Sequence, residues 1–141
     1  PRGGDELNII RGGANYGWET ISYGTNYSGE PVADGGTAMN GMEQPLYFWR
    51  PSIAPSGLMF YTGDMFPEWH GNVFVSALAG QHMSRLGLDG EGVIGEERLL
   101  VDRAERIREI RQGPDGALYV LTNEESGAPT GTASLLRISR E

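Results

Sequence analysis

Two stretches of this chain follow one plan. Ser56–Asp89 runs as an apolar strand, a turn, Gly71-Asn-Val-Phe-Val, a short loop and Ser84-Arg85-Leu86-Gly87-Leu88. Ile107–Arg140 runs as an apolar strand, Gly113-Pro-Asp-Gly, Ala117-Leu-Tyr-Val, a longer loop and Leu136-Arg137-Ile138-Ser139. Val75 and Val120 stand 45 residues apart, and Arg85 and Arg137 stand 52 apart. A period of roughly 40–50 residues holding several strands marks β-propeller blades, which cannot cover their own faces and must stack on neighbours. Propellers have about 4–8 blades, and 141 residues supply about three at this period. The expectation is an all-β chain, residues 1–141 forming roughly two to three blades of a longer propeller. Closure of a ring by several copies, or a chance likeness inside a smaller β-fold, are the alternatives.

Short alternating runs bounded by turn residues give the candidate strands. They are Leu7–Arg11, Tyr16–Ser22, Gln44–Arg50, Gly57–Thr62, Asn72–Leu78, His82–Leu88, Val93–Leu100, Ile107–Arg111, Ala117–Leu121 and Ser134–Ser139. Asp89-Gly90 reads as a hairpin turn between two such runs. A short helical turn fits Gly63–His70, with Pro67 limiting its length. Glu97–Ile110 is ambiguous. Leu100, Ala104, Ile107 and Ile110 lie at helical spacing, yet the same stretch reads as a strand ending near Val101, a turn and a new strand.

Composition narrows the function. Gly and Pro make 30 of the 141 residues (22 and 8), well above average usage. The net charge of −8 argues against gripping nucleic acid or an anionic membrane through bulk charge. No apolar run has the roughly 18 residues a membrane helix needs. Cys is absent, which removes disulfides, thiolate metal sites and Cys nucleophiles. All 11 basic residues are Arg. The chain opens at Pro1 without a Met, so an upstream segment is expected to have been removed. There is no dinucleotide fingerprint, phosphate-binding Lys loop or nucleophile elbow. His70 and His82 are too few and too poorly spaced for zinc, and both read as surface or turn residues.

Two constellations could carry chemistry. Asp5 and Glu6 follow flexible glycines, and a hard cation favours oxygen ligands in such a loop; a solvated acidic turn is the other reading. In a strand these two carboxylates would point to opposite faces. Arg106 and Arg108 would share one face of a strand while Ile107 points away. Paired guanidinium forks suit a ligand bearing several carboxylates, and a charged solvent face is the alternative. The aromatic groups around Tyr16-Gly17-Trp18 and Tyr47-Phe48-Trp49 could stack on a planar ligand or pack between blades.

Five motifs then stand in register: Gly3-Gly4-Asp5-Glu6-Leu7-Asn8, Asn15-Tyr16-Gly17-Trp18, Ser52-Ile53-Ala54-Pro55-Ser56-Gly57, Arg106-Ile107-Arg108-Glu109 and Gly113-Pro114-Asp115-Gly116. Together they resemble the soluble quinoprotein sugar dehydrogenases, the glucose/sorbosone or aldose sugar dehydrogenase family, over the C-terminal part of that domain. The resemblance implies a six-bladed β-propeller, the cofactors pyrroloquinoline quinone (PQQ) and calcium, and oxidation of an aldose at the anomeric carbon to a lactone. It also implies a soluble electron acceptor and a periplasmic or secreted location.

Residue by residue, the resemblance places Pro1 and Asp5 in the loop beside the PQQ-binding calcium, with a backbone carbonyl near Pro1 as a ligand. Glu6 and the main chain of Tyr16 match a calcium-binding pair. Tyr16 and Trp49 would flank the cofactor pocket, with Ser52 near it. Arg106 and Arg108 match the pair that contacts the quinone and its carboxylates. There are two departures. Some members carry a Lys where this chain reads Ser76-Ala77-Leu78-Ala79-Gly80-Gln81. The family's general base, a His, belongs to the N-terminal part and matches neither His70 nor His82, so no catalytic residue is assigned here. A non-catalytic calcium-stabilised propeller module and a calcium-dependent lactonase-type hydrolase are the competing functions.

Overall fold

The computed structural model describes residues 2–123 and 133–140. The chain divides into two compact units, Pro1–Ile53 and Ala54–Glu141.

The second unit is built from two antiparallel sheets. The first holds β3 (Pro55–Phe60), β4 (Val73–Ala77), β5 (His82–Asp89) and β6 (Gly92–Leu99), hydrogen-bonded in that order. The second holds β7 (Arg106–Gln112), β8 (Leu118–Asn123) and β9 (Ser134–Ile138). Four strands meandering in sequence order are the architecture of a propeller blade. The repeat is therefore physical: Val75 of β4 and Val120 of β8 are both buried second-strand residues, at 3% and 0% exposure. Between the sheets lies a core of Met59, Tyr61, Phe74, Met83, Ile107, Ile110, Leu118 and Val120. Tyr61 ties it down: its hydroxyl donates to the Gly116 carbonyl at 2.7 Å and accepts the Phe66 N–H at 3.1 Å.

Turns follow the sequence closely here. Asp89 pairs with Gly92, so the hairpin turns on Gly90 and Glu91, with Gly90 at φ 58°. At Pro114-Asp115-Gly116 the turn closes through Gly113 N–H to Ala117 O at 2.8 Å and Gly116 N–H to Gly113 O at 3.0 Å. The expected helical turn is a single 3₁₀ turn at Pro67–Trp69. Pro67 opens this turn rather than ending it, since its missing N–H would have no partner there.

Glu97–Ile110 resolves as strands. β6 ends at Leu99, a 3₁₀ turn covers Val101–Arg103, and Leu100 and Ala104 on either side adopt left-handed backbone (φ 61° and 50°), which stops a helix from propagating. The three-residue spacing of Ile107 and Ile110 has another cause. β7 carries a bulge: Ile107 pairs with Thr122, but Glu109 pairs with Leu121. The extra residue lets both isoleucines face the core at 0% exposure. β3 has its bulge in the corresponding place, between Pro55 opposite Ala77 and Leu58 opposite Val75.

The first unit has little regular structure. β1 (Asp5–Leu7) pairs antiparallel with β2 (Tyr47–Trp49), and the long segment between them is held by turns and side chains. The strand expected at Leu7–Arg11 lies earlier, at Asp5–Leu7, and meets it only at Leu7; the one expected at Gln44–Arg50 shrinks to Tyr47–Trp49, and Tyr16–Ser22 forms no strand. Gly17 there adopts φ 85°, and its carbonyl accepts both Thr20 N–H (2.6 Å) and Ile21 N–H (2.9 Å), which turns the chain. A Cβ on Gly17 would meet Ile21 Cγ1 at 2.1 Å, so close packing also requires glycine. Among the described residues, no helix is long and apolar enough to cross a membrane.

Candidate functional site

In the first unit, the β1–β2 pair fixes the acidic residues. Asp5 lies opposite Trp49 and Glu6 opposite Phe48. Asp5 Oδ2 accepts the Ser52 hydroxyl at 2.7 Å and the Ile53 N–H at 2.8 Å. Asp5 and Ser52 are thus brought together, with the carboxylate fixing the segment after β2. Glu6 projects to the exposed side, as strand alternation requires, and Asn8 Nδ2 donates to its Oε2 at 3.1 Å. That bond turns the Asn8 amide oxygen into a buried place where it has no hydrogen-bond partner among the described residues. Asn8 was not singled out in the sequence, although its two-residue spacing from Glu6 is a legible signal.

Tyr16 anchors the loop after β1. Its hydroxyl donates to the Ile9 carbonyl at 2.8 Å and accepts the Arg11 N–H at 2.6 Å. Trp49 is buried at 3% exposure, and its ring meets Tyr47 edge-on at 5.1 Å. Trp49 is thus one of the buried residues of this unit. Pro1 lies outside the described residues. Among the described residues, no group of three or more His, Cys, Asp and Glu side chains is placed to hold a metal ion.

In the second unit, Arg106 and Arg108 begin β7. The bulge changes the expected geometry: Arg106 lies opposite Asn123, whereas Arg108 is the extra residue without a register partner. Simple i, i+2 alternation therefore does not place them on one face. Arg108 is exposed and Arg106 half-buried. The Arg106 Nε–H is fully buried and has no hydrogen-bond partner among the described residues, a costly state for a charged donor. Neighbouring Glu105 accepts from Arg103 at 2.6 Å. The Thr122 hydroxyl first, and then Arg103, hold its carboxyl below the usual carboxylate value.

The segment carrying the expected family Lys is the β4–β5 turn. Ala79 is exposed there and Gln81 adopts φ 53°. His82, expected at the surface, is buried at 3% exposure. Its Nδ1 lies 2.7 Å from the Gly80 carbonyl, which fixes Nδ1 as the protonated nitrogen.

Comparison with known proteins identifies the class. The glucose/sorbosone dehydrogenase family model matches residues 1–137, and the chain belongs to that family. It is 46% identical over 128 residues to the aldose sugar dehydrogenase YliI of Escherichia coli (strain K12), covering 90% of this chain and 34% of that protein. A crystal structure of a glucose dehydrogenase superposes with a TM-score of 0.89 at 50% identity, covering 100% of this chain and 39% of that one. The PQQ-bound form of an aldose sugar dehydrogenase from Streptomyces coelicolor, 23% identical with a TM-score of 0.61, shares the fold over 94% of this chain and 36% of its own. The chain spans about a third of the length of the relatives it matches. Its fold class is the all-β propeller of these dehydrogenases, of which it forms a part.

Proposed function

We propose that the chain forms the C-terminal part of a PQQ- and calcium-dependent oxidoreductase that oxidises aldose sugars at the anomeric carbon to lactones. The observation that carries this reading is the buried Nε–H of Arg106 at the head of β7, which has no hydrogen-bond partner among the described residues. A buried guanidinium N–H favours an anionic partner, and PQQ is a planar tricarboxylate. Arg106 would bind one carboxylate from its half-buried position, and Arg108 would approach from the exposed bulge. PQQ, when bound, accepts the hydride equivalent from the sugar. This chain's residues supply orientation and neutralising charge, and the proton acceptor lies in the remainder of the domain.

The first unit suits calcium as a site rich in neutral oxygen. Glu6 would supply a carboxylate and Tyr16 its backbone carbonyl to one calcium-binding pair, and a backbone carbonyl near Pro1 would serve the calcium beside PQQ. The buried Asn8 amide oxygen beside Glu6 is the kind of donor a hard cation takes. Asp5, Ser52, Tyr16 and Trp49 would frame the cofactor side of this unit, Asp5 by holding Ser52 and Ile53 in place. The partners are an aldose, a soluble electron acceptor and either the remaining blades or further copies of the chain, in the periplasm or outside the cell.

Titrating PQQ into the complete protein with calcium present tests this reading. Replacing Arg106 and Arg108 together with Ala is expected to raise the Kd on the order of 100-fold, from the loss of two charge-assisted contacts. Unchanged affinity would overturn it. One observation favours a second reading, a calcium-stabilised binding module without redox activity: the β4–β5 turn offers Ala79 and Gln81 where some family members carry Lys. That module would melt lower in EDTA and show no PQQ uptake.

A further inference from the structure

The motif Ser52–Gly57 continues beyond the residues assigned to the cofactor, and the role of its last two residues is visible in the second unit. Gly57 N–H donates to Ser76 Oγ at 2.7 Å, Ser76 Oγ lies 3.0 Å from Ser56 Oγ, and Ser56 Oγ donates to the Ile107 carbonyl at 2.8 Å. Each hydroxyl has one proton. The Ser56 proton goes to the Ile107 carbonyl, and Ser76, whose hydroxyl also lies 3.3 Å from the Gly57 carbonyl, links Gly57 to Ser56. Ser76 is fully buried within a strand whose five residues are all buried. A lone hydroxyl there needs such partners. Gly57 must be small as well, because a Cβ would stand 2.2 Å from Glu109 Oε1 and 2.8 Å from Ser76 Oγ.

The series ends on the peptide between the two arginines. Ile107 is the last residue in normal register before the bulge at Arg108, and bulges re-aim side chains near functional sites. Three strands, β3, β4 and β7, are therefore fixed at the backbone that sets the directions of Arg106 and Arg108.

We propose that Ser56, held by Ser76 and acting through the Ile107 carbonyl, is a positioning residue that sets the Arg106/Arg108 pair for an anionic cofactor. This rests on the reading of the arginines given above. Because Ser56 lies at the exposed margin of β3, its substitution leaves the core intact.

The test is PQQ titration of the complete protein with calcium, alongside thermal melting, for Ser56→Ala, Ser56→Thr and Arg106→Ala. Ser56→Ala is expected to weaken binding about five-fold, the scale of one hydrogen bond. Ser56→Thr, which keeps the hydroxyl, should bind within about two-fold of the unsubstituted protein. An Ala variant that melts lower but binds PQQ normally, or a Thr variant as weak as Ala, overturns the positioning role while Arg106→Ala still weakens binding. If Arg106→Ala binds normally, or the unsubstituted protein takes up no PQQ, the cofactor reading itself fails.

Discussion

The two sheets of the second unit place a bulge at the same point of their first strand and use it for different ends. In β3 the bulge holds Ser56 and Gly57, small residues turned into a hydrogen-bonded contact with Ser76. In β7 it holds Arg108 and Glu109, and the freed arginine is exposed. The residues that follow differ in step: Leu58 opposite Val75 is 45% exposed, whereas Ile110 opposite Val120 is fully buried. One backbone device thus serves close packing in the first sheet and presentation of charge in the second. A structural repeat does not imply a repeated site.

The largest effect should come from the corresponding apolar positions. Ile110→Ala is expected to cost about 2–5 kcal/mol through lost burial and a cavity, and Leu58→Ala less than about 1 kcal/mol, read by denaturant unfolding. Equal losses would break the comparison.

Next in size is Gly57→Ala, expected to cost about 1–3 kcal/mol by crowding Ser76 and Glu109. Gly95→Ala in β6, where a Cβ would meet nothing within 4 Å, should change stability by less than about 0.5 kcal/mol. Because the nearest crowding atom is the tip of Glu109, Glu109→Ala should relieve part of the Gly57→Ala penalty.

The smallest effect concerns the arginines that mark the repeat. Arg137 bonds Asp115 at 2.8 Å, and Arg85 bonds Glu97 at 2.7 Å. The Arg137 hydrogen bond holds the Asp115 carboxyl below its ordinary value of 3.8. A carboxyl depressed in the folded state contributes stability that is present above the unfolded value and lost as pH falls through the folded one. The melting difference between the unsubstituted protein and Arg137→Ala should therefore be small at neutral pH and vanish once the pH has fallen through the depressed folded-state value of Asp115. A difference that persists there would assign Arg137 a packing role instead.

The same contrast explains what was legible in the sequence. Alternation and turn residues gave seven of the second unit's strands nearly to their ends, because those strands are ordered by local pattern and neighbouring pairing. The bulge at Arg108 defeated alternation, making Ile107 and Ile110 look helical. The first unit resisted reading because distant side chains order it: Asp5 to Ser52 and Ile53, Tyr16 to Ile9, and Tyr23 to Gln44 at 2.7 Å. Of the candidate site, the arginines and the Asp5–Glu6 pair were visible as residue types. Asn8 could have been found from its spacing. Ser76 gave only the faint signal of a hydroxyl within an otherwise apolar run.

The most direct measurement is a crystal structure of the complete protein with PQQ and calcium bound. The account predicts a PQQ carboxylate oxygen within about 2.7–3.2 Å of Arg106 Nε, with Arg108 closing on the same cofactor. A bound PQQ that leaves both guanidiniums untouched, with Arg106 Nε satisfied by protein groups instead, would contradict it.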